Sequence, residues 1–185
     1  MSKKELRSIF LKRRDMLSEE DVYKASLEIA KNLSQDKDFK RAKSVMAYIP
    51  IRKEVDPLVD MSIYEGKIVS VPKIVDNTLV PCLYKGPFVK SVYNTLEPEE
   101  CQKTNIDLCL VPGVCFDKHL YRVGFGKGFY DRFLSANKNI FSIGICYDFQ
   151  IVDSIEKDPF DVKLNKIISE NYVIEGGNYQ WKLLL

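Results

Sequence analysis

The sequence predicts an α/β fold in which a mostly parallel sheet carries helices on both faces. Short apolar runs at 45–50, 67–71, 107–111 and 141–146 have the length and character of buried strands. Helical segments lie between these runs. Strands that alternate with helices in this way are typical of a parallel sheet covered on both sides.

Two helices are predicted at the start of the chain. The first has apolar residues at roughly helical spacing, namely Leu6, Ile9, Phe10 and Leu17. Ser18 and Asp21 then form a capping-box-like start for a second helix. Its apolar positions are Val22, Ala25, Ile29 and Leu33.

The middle of the chain predicts a strand–helix–strand unit followed by irregular structure. Pro57 suits the first turn of a helix between the strands at 45–50 and 67–71. An exposed strand is predicted at 79–84. The segment 85–103 contains two prolines and is expected to form binding loops.

The remaining elements follow a glycine-rich turn. A helix is predicted over 129–136, after the last of three closely spaced glycines. The strand at 141–146 comes next, and 172–174 is a candidate for the last strand.

Length and composition predict one domain, 1–185, because 185 residues with 45% hydrophobic content support one substantial core. The 28 basic and 26 acidic side chains leave a net charge of only +2. That balance favours a small phosphorylated ligand over nucleic acid or a membrane surface. The absence of a secretory or membrane-spanning apolar run predicts a soluble, cytoplasmic protein, and we expect a monomer.

The cysteines and the histidine exclude several kinds of site. The five cysteines form no C-x-x-C pair, which predicts buried, reduced thiols and neither a disulfide framework nor a zinc site. His119 is the lone histidine and lies in a polar stretch, so we expect it in a surface loop.

The densest chemical signal is the string R-V-G-F-G-K-G-F-Y-D-R at 122–132. Its glycines stand at alternate positions, 124, 126 and 128, so backbone N–H groups can approach an anion next to a helix N-terminus. It is neither a Walker A motif nor a dinucleotide fingerprint. A phosphate cradle and a tight turn with solvated charges are both compatible with the pattern.

Charged residues elsewhere extend this hypothesis. Asp131 suits a Mg2+ ligand, although the first turn of a helix stabilises a carboxylate in any case. Lys3 and Arg7 are four residues apart and would project from one helix face as a phosphate clamp, or else be solvated. Glu54 follows a strand, where open α/β sheets bind ligands, or is ordinary surface acidity.

Four longer strings resemble the 5-formyltetrahydrofolate cyclo-ligase family, also called methenyltetrahydrofolate synthetases. They are K-K-E-L-R at 3–7, Y-I-P-I-R-K-E-V-D at 48–56, N-T-L-E-P at 94–98 and V-P-G-V-C-F-D-K-H-L-Y-R-V-G-F-G-K-G-F-Y-D-R-F-L at 111–134. The resemblance implies a three-layer α/β/α fold like that of sugar-phosphate isomerases and CoA transferases. It also implies ATP- and Mg2+-dependent closure of 5-formyltetrahydrofolate, which can carry a polyglutamate tail, to 5,10-methenyltetrahydrofolate. The implied reaction releases ADP and phosphate and passes through a phosphorylated formyl intermediate.

The same resemblance implies roles for individual residues. Lys127 and Arg122 would be catalytic, Asp131 and Asp161 would bind the metal, and Asp161 otherwise reads as a loop cap. ATP would contact Lys3, Lys4, Arg7, Arg122, Gly124, Phe125, Gly126, Lys127, Gly128, Phe129 and Tyr130. The folate substrate would contact Ile49, Glu54, Lys73, Tyr93 and Phe129.

Some positions depart from the family pattern, and two rival functions stay open. Phe129 stands where tyrosine is common, Val123 where leucine is usual, and Asn165 where a second acid often follows Asp161. The tail 176–185, with Trp181, has no family counterpart. A phosphosugar isomerase would share the fold without needing ATP, and a noncatalytic nucleotide-binding module would keep only the glycine turn.

Overall fold

The computed structural model of the protein describes residues 1–176 and the backbone of 178–181. Its helices are α1 (Lys3–Asp15), α2 (Glu19–Gln35), α3 (Lys37–Arg41) and α4 (Phe129–Ala136). Short 3-10 helices cover Met61–Tyr64 and Asp148–Gln150. Capping boxes start the first two helices, Ser2 with Glu5 and Ser18 with Asp21, so the predicted start of α2 is confirmed.

Eight strands form the main sheet. In chain order they are β1 (Ser44–Met46), β2 (Ile68–Val75), β3 (Thr78–Leu83), β6 (Leu108–Val111), β9 (Phe141–Ile145), β11 (Lys166–Ile168), β12 (Tyr172–Glu175) and β13 (Asn178–Trp181). Their spatial order is β13-β12-β11-β9-β6-β1-β2-β3. The central neighbours pair in parallel, from β11 through β9, β6 and β1 to β2, and only the edge pairings are antiparallel.

Two smaller sheets complete the strand inventory of the described residues. Strands β7 (Cys115–Asp117), β8 (Arg122–Val123) and β10 (Ile151–Val152) form one of them, in the order β10-β7-β8. Strands β4 (Phe88–Lys90) and β5 (Leu96–Pro98) form an antiparallel hairpin.

Side chains of the central strands alternate between two cores, as the strand period of two requires. Val45 and Leu108 pack with α2 and α3 on one face, whereas Met46, Cys109 and Val111 pack with α4 on the other. The predicted α/β fold with a mostly parallel sheet between helical layers is therefore confirmed.

Helix α1 packs away from the main sheet, against the small sheet. Leu6 and Phe10 share a buried cluster with Val114, Cys115 and Val123. This contact places α1 directly beside the glycine-rich turn that follows β8.

The predicted helix after Pro57 is wrong. Tyr48 and Tyr64 donate hydrogen bonds to the carbonyls of Val55 and Pro57, and Asp56 accepts from the Leu58 amide. These side-chain bonds hold turns in place of a helical ladder, so only the 3-10 helix forms before β2. The strand predicted at 45–50 is correspondingly limited to β1.

Two other expectations need correction. The segment 85–103, predicted to be loop-rich, contains the β4–β5 hairpin. Cys82 and Cys101 form a disulfide, contrary to the prediction of reduced thiols, because β3 and the segment after β5 bring the two residues within 5.0 Å between Cα atoms. Cys109, Cys115 and Cys146 are free and buried, as predicted.

Several strands were not predicted from the sequence, and part of the tail lies outside the described residues. Strands β7, β8, β10 and β11 are too short to give a periodic signal. In the tail, β13 extends the sheet edge, while residue 177, residues 182–185 and the Trp181 side chain lie outside the described residues. Among the described residues, no helix is long and apolar enough to cross a membrane.

Candidate active site

One cavity of about 1410 Å3 opens where the carboxyl ends of the parallel strands meet α1. Tyr48 and Ile49 follow β1, and Pro112 and Gly113 follow β6. This edge of an open parallel sheet is where ligands usually bind. Its volume exceeds the roughly 300–1,000 Å3 of a site for one small ligand, which leaves room for two substrates.

The glycine-rich turn forms one end of the cavity. Gly126 and Gly128 have φ angles of 95° and 67°, which only glycine adopts without strain. Gly128 is the N-cap of α4 and makes no side-chain capping bond, so the first N–H groups of the helix are left for another acceptor. Phe125, Gly126 and Lys127 are exposed on the turn.

Helix α1 brings two cations to this end. The Arg7 side chain donates to the Gly124 carbonyl at 2.7 Å, which ties the turn to the helix. The Lys3 ammonium lies 2.5 Å from Asp158 and 2.5 Å from Asp161. Burial lowers the pKa of Lys3, but the two carboxylates raise it by more, so this side chain is a cation.

A second ion pair, between Arg122 and Asp131, also lines the cavity. Arg122 donates to Asp131 at 3.1 Å, and the other oxygen of Asp131 accepts from the Val162 amide. The Nε of Arg122 and the hydroxyl of Tyr130 are buried and have no hydrogen-bond partner within residues 1–176. Unpartnered buried donors beside a cavity are suited to an incoming acceptor.

Asp131 and Asp161 are the carboxylates that fit a magnesium ion. Both line the cavity, and Mg2+ usually takes one or two carboxylates while phosphate oxygens and water fill its other positions. The described part of the chain contains no group of three or more His, Cys, Asp or Glu side chains that could bind a metal ion by themselves.

A second region of the cavity is built around Glu54. Its side chain is only 5% exposed, and burial raises the pKa of the carboxyl group to about 7, against the opposing effect of Arg14. One carboxylate oxygen accepts from the Ile51 amide at 3.1 Å. The other oxygen has no hydrogen-bond partner among the residues that the structure describes.

Aromatic and apolar side chains form the walls. Tyr93, from the hairpin turn between β4 and β5, packs edge-on against Phe129 with ring centroids 5.0 Å apart. Phe160 is 86% exposed although it borders the cavity. Such walls suit a flat heterocycle.

Most residues predicted for the site come together in this cavity. The lining includes Lys3, Arg7, Ile49, Glu54, Tyr93, Arg122, Asp131, Asp161 and the whole segment from Gly124 to Tyr130. Lys4 is exposed and does not line it. Lys73 also lies outside, because its ammonium donates to the carbonyls of Pro98 and Glu99. The contacts of Lys4 with ATP and of Lys73 with folate stay predictions.

Sequence reasoning missed Arg14 and Asp158. Arg14 is fully buried next to Glu54, and Asp158 shares Lys3 with Asp161. Arg14 extends the buried stripe of Leu6 and Phe10 by one more step of four residues, and that spacing was the signal that could have found it.

Comparisons with known proteins identify relatives of the chain. The model of the 5-formyltetrahydrofolate cyclo-ligase family matches residues 1–170. A probable 5-formyltetrahydrofolate cyclo-ligase of Schizosaccharomyces pombe is 30% identical over 94% of this chain and 98% of its own length. The corresponding enzyme of Mycoplasma genitalium is 37% identical over 68% of this chain and 72% of its own length.

Solved structures give the same result. The 5,10-methenyltetrahydrofolate synthetase of Aquifex aeolicus superposes with a TM-score of 0.81 at 34% identity, covering 95% of this chain and 93% of that one. The synthetase of Mycoplasma pneumoniae gives a TM-score of 0.75 at 28% identity, covering 92% and 99%. With the family model matching most of its length, the chain belongs to the 5-formyltetrahydrofolate cyclo-ligase family.

Proposed function

We propose that this protein uses ATP to close 5-formyltetrahydrofolate to 5,10-methenyltetrahydrofolate, with release of ADP and phosphate. The observation that carries the proposal is that one cavity joins a glycine turn lined with cations to a buried carboxylate and aromatic walls. The first end suits a triphosphate, and the second suits a pterin with several N–H donors. Membership of the family supports the same reaction.

The chemistry needs ATP and folate side by side. The formyl oxygen takes the γ-phosphoryl group, with ADP leaving, and N10 of the folate then bonds to the activated formyl carbon. The carbon–oxygen bond breaks, phosphate departs, and the N10 proton is lost to solvent. Phosphoryl transfer of this kind depends mainly on positioning and on neutralising charge.

The residues at the glycine turn fit that demand. Lys127 is exposed at the cavity, and the Arg122 guanidinium has an unpartnered Nε within residues 1–176, so both can bind phosphate oxygens. Arg7 and the start of α4 would hold the rest of the triphosphate chain. Asp131 and Asp161 would hold Mg2+, which would supply positive charge beside the reacting phosphates when bound.

Glu54 fits the pterin. Its unpartnered oxygen faces a buried environment, where a carboxylate is stabilised only by donors that reach it. Pterin N–H groups are donors of that kind. Ile49 and the Tyr93–Phe129 pair would pack against the ring system.

The test is an absorbance measurement at the methenyltetrahydrofolate band. Protein, 5-formyltetrahydrofolate and Mg2+ are mixed with and without ATP, and ADP is quantified in the same samples. We expect absorbance to rise only with ATP, with one ADP formed per product. Bound ATP without any rise would contradict the proposed reaction, and a rise without ATP would contradict the role of the glycine turn.

A further inference from the structure

Arg14 is a buried cation that the reaction itself does not use. Its side chain is 0% exposed and does not line the cavity. The guanidinium donates to the carbonyls of Arg52 at 2.9 Å, Gly113 at 3.3 Å and Ile51 at 3.4 Å. A charge this deeply buried is costly unless it is paired and hydrogen-bonded, so its surroundings point to a specific role.

Two of the three carbonyls that accept hydrogen bonds from Arg14, those of Ile51 and Arg52, belong to the turn that carries Glu54. Arg52 and Lys53 have φ angles of 47° and 56°, a left-handed conformation that is unfavourable for side chains of this kind. Arg14 holds the turn from within. Lys53 holds it from outside, by donating to the carbonyls of Asp15 and Leu17 at the end of α1.

Arg14 also sets the charge around Glu54. One of its nitrogens lies 3.7 Å from the Glu54 oxygen that has no hydrogen-bond partner in the described residues. The other titratable groups facing Glu54 are the hydroxyls of Tyr48, Tyr130 and Tyr147, which carry no positive charge. Arg14 is therefore the cation that opposes the effect of burial on the pKa of Glu54.

We propose that Arg14 is a positioning residue for folate, which holds the 51–54 turn so that Glu54 faces the cavity and balances the charge of that carboxylate. This inference rests on the proposed contact between Glu54 and the pterin. It gives α1 two tasks, since Lys3 and Arg7 at its start serve the glycine turn and Arg14 near its end serves the turn of Glu54. The Arg14 guanidinium also lies 5.7 Å from the centroid of the Phe125 ring, which belongs to the glycine turn.

The two tasks make the inference testable. A general loss of α1 packing would weaken ATP and folate together, because the same helix carries Lys3 and Arg7. Loss of the Arg14 hydrogen bonds would weaken folate binding far more than ATP binding, because methionine at this position can still pack against the Phe125 ring of the glycine turn. Arg14→Met removes both the charge and the hydrogen bonds, whereas Arg14→Lys keeps the charge and loses the planar set of donors.

The experiment measures KM for each substrate and the pH dependence of kcat/KM for 5-formyltetrahydrofolate, with ADP release as readout. For Arg14→Met we expect KM for the folate to rise about tenfold or more and KM for ATP to stay within about twofold. The midpoint of the pH profile should move to higher pH, because the opposing cation is gone. Arg14→Lys should keep the wild-type midpoint and show a smaller rise in folate KM.

Arg13→Met is the matched control. Arg13 is the exposed neighbour of Arg14 on the same helix, with its guanidinium over the Phe149 ring, and it touches neither turn nor cavity. Both KM values should stay at wild-type level in this variant. If Arg14→Met does not fold, Arg14→Lys still tests the inference through its folate KM.

Two results would overturn the inference. One is a parallel rise of both KM values, and the other is an unchanged folate KM in a folded Arg14 variant. Calorimetric binding of 5-formyltetrahydrofolate without ATP separates this inference from the proposed reaction. A wild-type protein that binds folate without turnover refutes the reaction and leaves Arg14 to be judged by binding, whereas a wild-type protein that does not bind folate refutes both.

Discussion

The two ends of the cavity hold their charges in opposite ways. At the glycine turn, protein charges are paired with one another: Lys3 with Asp158 and Asp161, and Arg122 with Asp131. At the other end, one oxygen of Glu54 has no hydrogen-bond partner among the described residues and lies 3.7 Å from an Arg14 nitrogen, beyond hydrogen-bond reach. The glycine-turn end also leaves the Arg122 Nε and the Tyr130 hydroxyl without partners within residues 1–176, so the contrast is that its charges form close pairs, whereas the cation beside Glu54 lies farther away.

This difference shows what each end requires of its ligand. A phosphate chain and its metal ion at the glycine turn have to exchange partners with existing ion pairs, whose side chains are largely buried except for that of Asp158. A donor that reaches Glu54 fills a vacant acceptor position in a buried setting, where each hydrogen bond matters more. The first end is thus adapted to charge and the second to the pattern of donors.

The largest effect is expected at the glycine-turn end, from Asp131→Asn. The substitution keeps the shape of the side chain and removes the charge that would hold Mg2+ beside the reacting phosphates. We expect kcat to fall about a hundredfold or more, a size typical of losing one electrostatic contact to a transition state. The measurement is ATP-dependent formation of methenyltetrahydrofolate, with thermal unfolding recorded in parallel.

Asp153→Asn is the control for that variant. Asp153 is exposed and forms its own ion pair with Lys118, far from the cavity lining. Its kinetics should match the wild type. A folded Asp131→Asn protein with wild-type kcat would remove Asp131 from the proposed metal site.

At the other end, the pH dependence of stability is expected to reveal the buried carboxyl group. Burial raises the pKa of Glu54 from its ordinary 4.5 to about 7, so the native state resists its ionisation. The protonated Glu54 carboxyl group therefore contributes to the free energy of unfolding. This contribution is complete below pH 4.5 and is lost as pH rises through 7. A shift of this size corresponds to about 3 kcal/mol.

The free energy of unfolding of Glu54→Gln, relative to that of the wild type, should therefore be higher at pH 8.5 than at pH 5. Denaturant unfolding at both values measures the difference, and Glu20→Gln serves as control because Glu20 is exposed on α2. An equal difference at both pH values would mean that Glu54 titrates normally and that the two ends of the cavity do not differ as described.

The same contrast explains what could be predicted from sequence. The glycine turn and α4 are local features, so alternate glycines and a 3.6-residue period were sufficient to place them. The surroundings of Glu54 depend on Arg14, which lies 40 residues away in the chain and is joined to it only by the tertiary fold. A buried arginine contradicts the usual rule for charged residues, and no local pattern specifies its partner.

The Cys82–Cys101 disulfide and the missing helix after Pro57 illustrate the same limit. The disulfide depends on how the hairpin segment returns to β3, which spacing in the sequence does not show. Pro57 is compatible with a helix start, but tyrosine hydroxyls from the segment after β1 and from the 3-10 helix donate to the local carbonyls. In both cases a side-chain contact formed in the folded chain prevails over what the local sequence pattern indicates.

The smallest of the expected effects concerns Lys127 at the glycine-turn end. It is exposed, and it contributes to the turn through its backbone carbonyl, which accepts a hydrogen bond from Arg132. Lys127→Ala should therefore leave the turn folded while removing a cation that can reach the phosphates. We expect KM for ATP to rise about tenfold, equivalent to about 1.4 kcal/mol, with KM for the folate almost unchanged.

Lys138→Ala is the matched control, because Lys138 is an exposed lysine just beyond α4 that does not line the cavity. The ATP effect should also shrink as salt concentration rises, since screening weakens an exposed cation first. If Lys127→Ala instead changed folate and ATP equally, the two ends could not be separate binding regions. An ATP-specific change would show that the exposed cation of the turn serves the phosphates alone, while the donors of the folate are selected at Glu54.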